Sequence, residues 1–159
     1  MSISAEVPIQ SLYPSAYQHC YGCGTAASKG HHLESFWDGE TARVEKVIEP
    51  EFLGVEGFVY GGMLASLIDC HAIATAAAAA GFADDDTTGV LQRYVTGSLN
   101  IKFVAPTPLT DEPIVLEAKV VREEGRKSYV DVELLVGDKV CVVASVVAVK
   151  IPETMQLPT

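Results

Sequence analysis

Residues 60–81 (YGGMLASLIDCHAIATAAAAAG) constrain the fold more than any other stretch of the chain. Between its terminal glycines the stretch contains neither glycine nor proline, and alanine, the best helix former, dominates its second half. It predicts one helix over residues 62–80, about 28 Å long, with Gly81 as its C-terminal cap. Because this helix is apolar nearly all round, we expect the rest of the chain to wrap it.

Asp69 is a carboxylate in the middle of this apolar helix, where a charge is unfavourable unless it has partners. One interpretation is a structural Asp bonded to a neighbouring hydroxyl or backbone group. Another arises from Gly61 and Gly62, because N–H groups at the positive end of a helix suit a polarised carbonyl or an anion. A carboxylate and a carbonyl polariser on one helix form half of an acyl-transfer site.

Asp69 and Gly61 cannot serve the same carbonyl within one chain, because the helix separates them by about 12 Å. Catalytic groups must lie within about 3 Å of the reacting atoms. A second helix running antiparallel alongside the first would bring the glycines of one subunit to the Asp of the other. The chemical hypothesis therefore predicts a homodimer with two sites across its two-fold axis.

The 159 residues are predicted to form one domain, with an irregular arm at residues 1–29 and a loose tail at residues 152–159. Residues 1–18, which contain Pro8 and Pro14 and no periodic pattern, are expected to lie on the surface. With 48% hydrophobic and 20% charged residues, the chain is globular rather than disordered. Its net charge of −10 argues against general binding to nucleic acid or to anionic membranes. Residues 1–15 show no export signal, and Asp69 and His71 interrupt the apolar helix, so a cytoplasmic protein without a membrane span is expected.

Cys20 and Cys23 form a C-x-x-C pair within the segment HCYGCG. Zinc requires four ligands and no second C-x-x-C is present, so the other cysteines and the histidines would help only if the fold brought them close. A redox C-x-x-C usually opens a helix, which the flanking glycines disfavour. The favoured interpretation is a tight turn with two half-buried thiols, with no metal and no cofactor; a structural zinc protein is a minor alternative.

Six strand-like segments surround the helix in the sequence. Two precede it, at residues 32–38 and 41–49, and four follow it, at residues 91–104, 112–123, 127–136 and 139–151. The first pair is joined by Asp38-Gly39, a strong hairpin signal, and the apolar last strand is expected to be central. Residues 51–59 are interpreted as a loop that lines the site, and residues 84–86 (DDD) as a solvated loop. The sequence therefore predicts an α+β fold in which one antiparallel sheet of about six strands wraps the helix.

This order of elements, with Tyr60-Gly61-Gly62 followed by Asp69, resembles the hotdog-fold acyl-CoA thioesterases of the PaaI-like group. That family carries His-Gly-Gly at the head of its central helix and an Asp nine residues after the His, and Tyr60 and Asp69 have this spacing. Residues 98–103 (SLNIKF) with Ala105-Pro106 resemble the family's next strand, and Gly125-Arg126 resembles a later turn. The resemblance covers residues 30–151.

The resemblance implies a hotdog fold and hydrolysis of an acyl-CoA thioester by a homodimer, or by a dimer of dimers. It gives Asp69 the role of general base or nucleophile, and Gly62, or else Gly61, of the partner subunit that of carbonyl donor. Thr96 matches the Ser or Thr that many members place near the attacking water. The expected substrate-binding residues are Tyr60, Phe58 and Met63 at the helix head, and Asn100, Lys102, Arg126 and Lys127, with Arg122 as a weaker candidate for the CoA phosphates.

Tyr60 stands where the family has a His, and a Tyr donates a hydrogen bond but does not take up a proton near neutral pH. This difference leaves a second hypothesis open, a protein that binds or senses acyl-CoA without turning it over. A hotdog dehydratase ranks last, because no His occupies the helix head. His71 points about 200° away from Asp69 on the helix and is predicted to be a core or interface histidine.

Overall fold

The computed structural model describes residues 2–83, 89–152 and 154–155, and the acidic segment 84–86 lies outside this range. It contains one long helix and one six-stranded sheet with the order β1-β2-β4-β5-β6-β3, in which every neighbouring pair is antiparallel. The elements are β1 Phe36–Trp37, β2 Ala42–Lys46, α1 Gly61–Ala80, β3 Tyr94–Phe103, β4 Ile114–Glu124, β5 Lys127–Val136 and β6 Lys139–Lys150. The predicted hotdog architecture of a helix wrapped by a sheet of six strands is confirmed.

Helix α1 begins one residue earlier than predicted and ends at Gly81, whose φ of 77° favours glycine and whose N–H bonds the carbonyls of Ala77 and Ala78. Most of the small alanine side chains on its second half are buried, namely Ala72, Ala74, Ala76, Ala77 and Ala78. Its apolar window has a mean hydropathy of 1.5, which is high enough for a membrane span, but 61% of that window is buried inside the protein. The apolar character of α1 is therefore that of a core helix.

The hairpin before α1 forms as predicted, but its first strand is shorter. Asp38 Oδ1 accepts hydrogen bonds from the backbone N–H groups of Glu40 and Thr41, at 2.9 and 2.7 Å, and fixes the turn. Regular pairing covers only Phe36–Trp37 rather than residues 32–38, because the backbone N–H and C=O of Ser35 bond Gln10 and Ile9 of the N-terminal arm instead of a neighbouring strand. Leu33, Ser35 and Trp37 nevertheless share the buried side, as the period of two predicted.

Strand β3 lies at one edge of the sheet and carries a bulge at Gly97. Thr96 pairs with Ala148 of β6 and Ser98 pairs with Val147, so Gly97 is the extra residue. A Cβ atom at this position would lie 2.8 Å from Val149 Cγ2. Strand β6, the predicted central strand, is interior to the sheet, since it pairs with β5 on one side and β3 on the other.

The N-terminal arm is built into the core. Apart from two 3-10 turns, at Ile9–Leu12 and Ser15–Tyr17, residues 2–29 are irregular as predicted. The expectation that residues 1–18 lie on the surface is wrong for Ile9, Gln10 and Tyr13, which are all buried. The Gln10 side chain accepts from the backbone N–H of Ser35 at 2.8 Å and donates to the Ser35 hydroxyl at 3.1 Å, which anchors the arm.

Candidate active site

Asp69 lies half-buried in the middle of α1 and is hydrogen-bonded to Thr96 of β3. The Thr96 hydroxyl donates to Asp69 Oδ1 at 2.5 Å. Thr96 faces α1 because its pairing partner, Ala148, points to the buried side of β6. The sequence-predicted carboxylate and hydroxyl are therefore brought together, and they are held by two rigid elements.

Both residues line a cavity of about 450 Å³ between α1, β3 and the N-terminal arm. This volume is in the range of small-molecule sites. The arm supplies half of the wall, which the sequence interpretation missed. The cavity is lined by Tyr13, Ala16, Tyr17, His19, Cys20, Cys23, Asp69, Cys70, Ile73, Tyr94, Val95 and Thr96. The signal that could have revealed the arm is the spacing of four residues between Ile9, Tyr13 and Tyr17, which places an apolar face on an otherwise irregular segment.

The hydroxyl groups of Tyr13 and Tyr17 are buried and have no hydrogen-bond partner among the described residues. Burial raises the pKa of both phenols, and the neighbouring Cys23 adds to the shift of Tyr13. Both groups are therefore neutral donors at physiological pH. A bound ligand that offers an oxygen acceptor would satisfy them.

Three thiols meet beside Asp69, two from the turn of the arm and one from α1. The Sγ atoms of Cys20 and Cys70 are 3.9 Å apart, and the three Sγ atoms, with that of Cys23, all lie within 4.8 Å of one another. Hydrogen bonds from the thiols of Cys23 and Cys70 lower the pKa of the Cys20 thiol to about 2. Donation to Cys20 together with burial raises the pKa of the other two thiols. The predicted tight turn is present, with Cys20 exposed and Cys23 buried.

The helix head lies apart from this cavity. No acceptor for the N–H groups of Gly61 and Gly62 is found within the described part of the chain, as expected for the first turn of a helix. The ring of Tyr60 packs on Gly62, since a Cβ there would lie 2.4 Å from the phenol oxygen. Phe58 and Tyr60 are exposed by 39% and 56%, whereas Met63 is buried in the core.

His71 is a buried core histidine, as predicted. Its Nε2 lies 3.2 Å from the carbonyl of Ala42 and therefore donates, which leaves Nδ1 to accept from the Ser35 hydroxyl at 2.8 Å. Burial lowers the pKa of His71 to about 4. The neutral ring is therefore fully bonded and faces away from the cavity that Asp69 lines.

The expected CoA-binding residues lie in two places. Asn100 and Lys102 of β3 pair with Ser145 and Val143 on the outer face of the sheet, opposite α1. Arg126 and Lys127 lie at the exposed turn between β4 and β5, at the same end of the sheet as Thr96. Arg122 stacks over the Tyr129 ring at 3.7 Å and pairs with Glu124 at 3.4 Å, so it is already engaged.

Comparisons with known proteins give a consistent picture. A family model described as Thioesterase superfamily matches residues 56–143. A solved thioesterase superfamily protein from Shewanella loihica is 36% identical, with a TM-score of 0.65, and the match covers 88% of this chain and 100% of that chain. A comparison with curated proteins gives no significant match.

More distant structures share the fold. An uncharacterised protein from Pyrococcus horikoshii is 17% identical, with a TM-score of 0.63 over 92% of this chain and 96% of that chain. The E. coli PaaI protein, from the phenylacetic acid degradation operon, is 17% identical, with a TM-score of 0.61 over 76% of this chain and 78% of that chain. The family match spans more than half of the chain and includes the helix head, Asp69 and Thr96. The chain therefore belongs to the thioesterase superfamily and has the hotdog fold.

Proposed function

We propose that this protein hydrolyses acyl-CoA thioesters to the free acid and CoA, and that Asp69 is its general base or nucleophile. Membership of the thioesterase superfamily points to thioester hydrolysis as the class of reaction. The single observation that carries the assignment of Asp69 is its hydrogen bond to Thr96 at the wall of the large cavity. A carboxylate on rigid elements beside a ligand-sized cavity can orient an attacking water.

In the general-base form of the reaction, Asp69 takes a proton from water as the water oxygen attacks the thioester carbonyl. The tetrahedral intermediate carries its negative charge on the former carbonyl oxygen, which the N–H groups of the helix head stabilise. Its collapse breaks the C–S bond, and the CoA sulfur leaves with the proton held by Asp69. In the nucleophilic form, Asp69 attacks the carbonyl and the C–S bond breaks, so that CoA leaves as its thiolate and an anhydride with Asp69 remains; water then hydrolyses the anhydride to the free acid and the Asp69 carboxylate.

The oxyanion donors in this proposal come from Gly62, or Gly61, of a second copy of the chain. The free N–H groups of the helix head support this role, and their distance along α1 from Asp69 requires a partner. Strand β3, the exposed edge of the sheet, supports the same arrangement, because such an edge offers unpaired backbone groups to another chain. The functional unit is then a homodimer with two equivalent sites, alone or paired into a tetramer.

The proposed substrate places the CoA phosphates against Arg126 and Lys127 at the surface, and the acyl group in the cavity. Lys102 and Asn100 are the remaining candidates for contacts with CoA, and the exposed Phe58 and Tyr60 for contacts near the thioester. Met63, also expected to contact the substrate, is buried in the core and is not part of this proposal. The free thiols of the chain suit a reducing cytoplasm as its location.

The test is thiol release from a panel of acyl-CoAs with short, long and aryl acyl groups. Asp69→Ala should lower kcat/KM for the best substrate by at least about 100-fold, since loss of a general base has at least that effect. Asp138→Ala, which removes an exposed carboxylate from the turn between β5 and β6, is the matched control and should leave the rate unchanged. Equal rates for the parent and Asp69→Ala would remove Asp69 from the mechanism.

The cross-subunit site can be tested by complementation. Gly62→Val places a side chain where Tyr60 packs and should abolish the donor, whereas Asp69→Ala abolishes the base. Each variant alone should be inactive, but co-expressed chains should recover about a quarter of the parent activity, because half of the dimers are mixed and each holds one intact site. No recovery, with mixed dimers demonstrated, would place both groups in the same subunit.

The alternative to an enzyme is a protein that binds or senses acyl-CoA without hydrolysing it, and one observation favours it. Tyr60, where the family has a His, stacks on Gly62, the proposed donor. A protein of this kind would show a higher Tm with acyl-CoA but no thiol release from any member of the panel.

A further inference from the structure

The three clustered cysteines have the spacing of metal ligands. A tetrahedral zinc ion with Zn–S bonds of 2.3 Å separates its sulfur ligands by about 3.8 Å. The Sγ atoms of Cys20 and Cys70 are 3.9 Å apart, and no pair within the cluster exceeds 4.8 Å. Small side-chain rotations would bring all three sulfurs onto one ion.

The turn that carries Cys20 and Cys23 is shaped for this approach. The N–H of Gly24 bonds the carbonyl of Cys20 at 2.7 Å and closes the turn. A Cβ at Gly22 would lie 2.3 Å from the Cys70 sulfur, so a glycine is needed where the turn meets α1.

We propose that Cys20, Cys23 and Cys70 bind one Zn²⁺ ion as thiolates, with a water from the cavity as the fourth ligand. Thiolate ligands favour zinc among the common divalent ions. All three cysteines line the cavity, so an ion at their centre borders it. Asp69 is not one of the proposed ligands, because its Oδ1 already accepts a hydrogen bond from the Thr96 hydroxyl. The site is independent of the proposed reaction, and its effect is to fasten the N-terminal arm to α1 and to hold the cavity wall in place.

The strongest competing explanation is a redox pair. The sulfurs of Cys20 and Cys70 would need to approach to about 2.05 Å to form a disulfide. Zinc binding requires all three thiols to be reduced, whereas a disulfide would consume two of them. Measuring zinc in a reduced sample of the protein therefore distinguishes the two explanations.

The experiment measures zinc in the untagged, reduced protein after incubation with Zn²⁺ and gel filtration. About one ion per chain is expected. Cys23→Ser and Cys70→Ser should each retain less than about one tenth of that amount, because two thiolates bind weakly. Cys141→Ser, at the buried cysteine of β6 outside the cluster, is the matched control and should retain the full amount.

A second measurement needs no variant and so does not depend on the folding of the serine variants. Zn²⁺ should slow alkylation of the exposed Cys20 by at least about tenfold, and a chelator should restore the rate. Replacement by Co²⁺ should give a sulfur-to-metal charge-transfer absorption. The proposal is overturned if the reduced parent binds no zinc, if the serine variants bind as much as the parent, or if a Cys20–Cys70 disulfide forms in a protein that binds no zinc when reduced.

Discussion

The middle of helix α1, around Asp69, and its N-terminal end, around Gly61, differ in how much of their surroundings the chain itself provides. Around Asp69, the arm, β3 and the helix line a cavity, and the carboxylate has its hydrogen-bond partner. Around Gly61, the neighbouring apolar side chains are open to solvent: Tyr60 is 56% exposed, Phe103 55% and Val104 56%. In the first region one chain supplies both the cavity wall and the hydrogen-bond partner of Asp69. The second region has unpaired N–H donors and exposed apolar side chains, which are typical of an interface.

This difference indicates which contacts position the base and which position the oxyanion donors of the proposed site. The proposed base is positioned by a long-range contact within the chain, its hydrogen bond to Thr96. The proposed donors are positioned by their own helix and, in the proposed dimer, act on a carbonyl held beside the Asp69 of the second copy. In that proposal a single chain contributes one half of each of two sites.

The largest expected effect tests whether the arm, which lines the cavity, is held through Ser35, because Ser35 bonds both Gln10 of the arm and the neutral ring of His71. The pKa of His71 is about 4 in the folded chain and about 6.5 when unfolded. The unfolded chain therefore takes up a proton first as the pH falls, and stability that is complete above pH 6.5 declines towards pH 4, by about 3 kcal/mol. His71→Gln should remove this component from urea unfolding measured at several pH values.

The control for this experiment is His19→Gln, which changes an exposed histidine and should keep the parent pH profile. Carboxylates titrate alike in all three proteins, so the difference between the curves isolates His71. Parallel curves for the parent and His71→Gln would show that the ring is not the group that titrates.

The next effect tests whether the open region depends on a second copy. Leu99 is 40% exposed on the edge strand β3, and a Lys there should prevent pairing with another β3 edge. We expect Leu99→Lys to shift the mass in solution to that of one chain and to lower thioesterase activity by at least about 100-fold. Val121→Lys, at a 49% exposed position of β4, should change neither light scattering nor rate. An active monomer would break the comparison between the two regions.

The smallest expected effect tests whether Thr96 orients Asp69, the proposed base, at the wall of the cavity. Thr96→Val keeps the shape of the side chain but removes the hydrogen bond to Asp69, which should lower kcat about tenfold with little change in KM. Thr96→Ser keeps the hydroxyl and should restore most of the rate. If both variants behave alike, Thr96 acts through packing rather than through its hydroxyl.

The features that the sequence predicted well are those with a local period. Residues 62–80 and the alternating strands specify their own conformation, and the Tyr60 to Asp69 spacing follows from the helix. The arm could not be predicted in this way, because its contacts span long separations, as between Gln10 and Ser35 or between Cys20 and Cys70. Pairing partners in irregular segments are chosen by the folded surroundings, which a periodic pattern does not report.

The predicted substrate contacts also show that a pattern in the sequence does not determine which residues meet in the folded chain. Thr96 meets Asp69 as the resemblance implied, whereas Asn100 and Lys102 of the same strand lie on the other face of the sheet. A sequence match transfers a position along the strand, but the side on which a residue projects also depends on the register of that strand.

The bulge at Gly97 reverses the alternation of β3 partway along its length. Phe103, Ile101 and Leu99 alternate onto the helix side of β3, and strict alternation would place Gly97 there next. It would therefore assign Thr96 to the outer face, which is the wrong side. The sheet accommodates Gly97 as one extra residue, so Thr96 lies opposite Ala148 on the helix side although its distance in sequence from Ile101 is odd. Deleting Gly97 would therefore leave a regular strand in which Thr96 directly precedes Ser98 and keeps its hydroxyl on the side of Asp69.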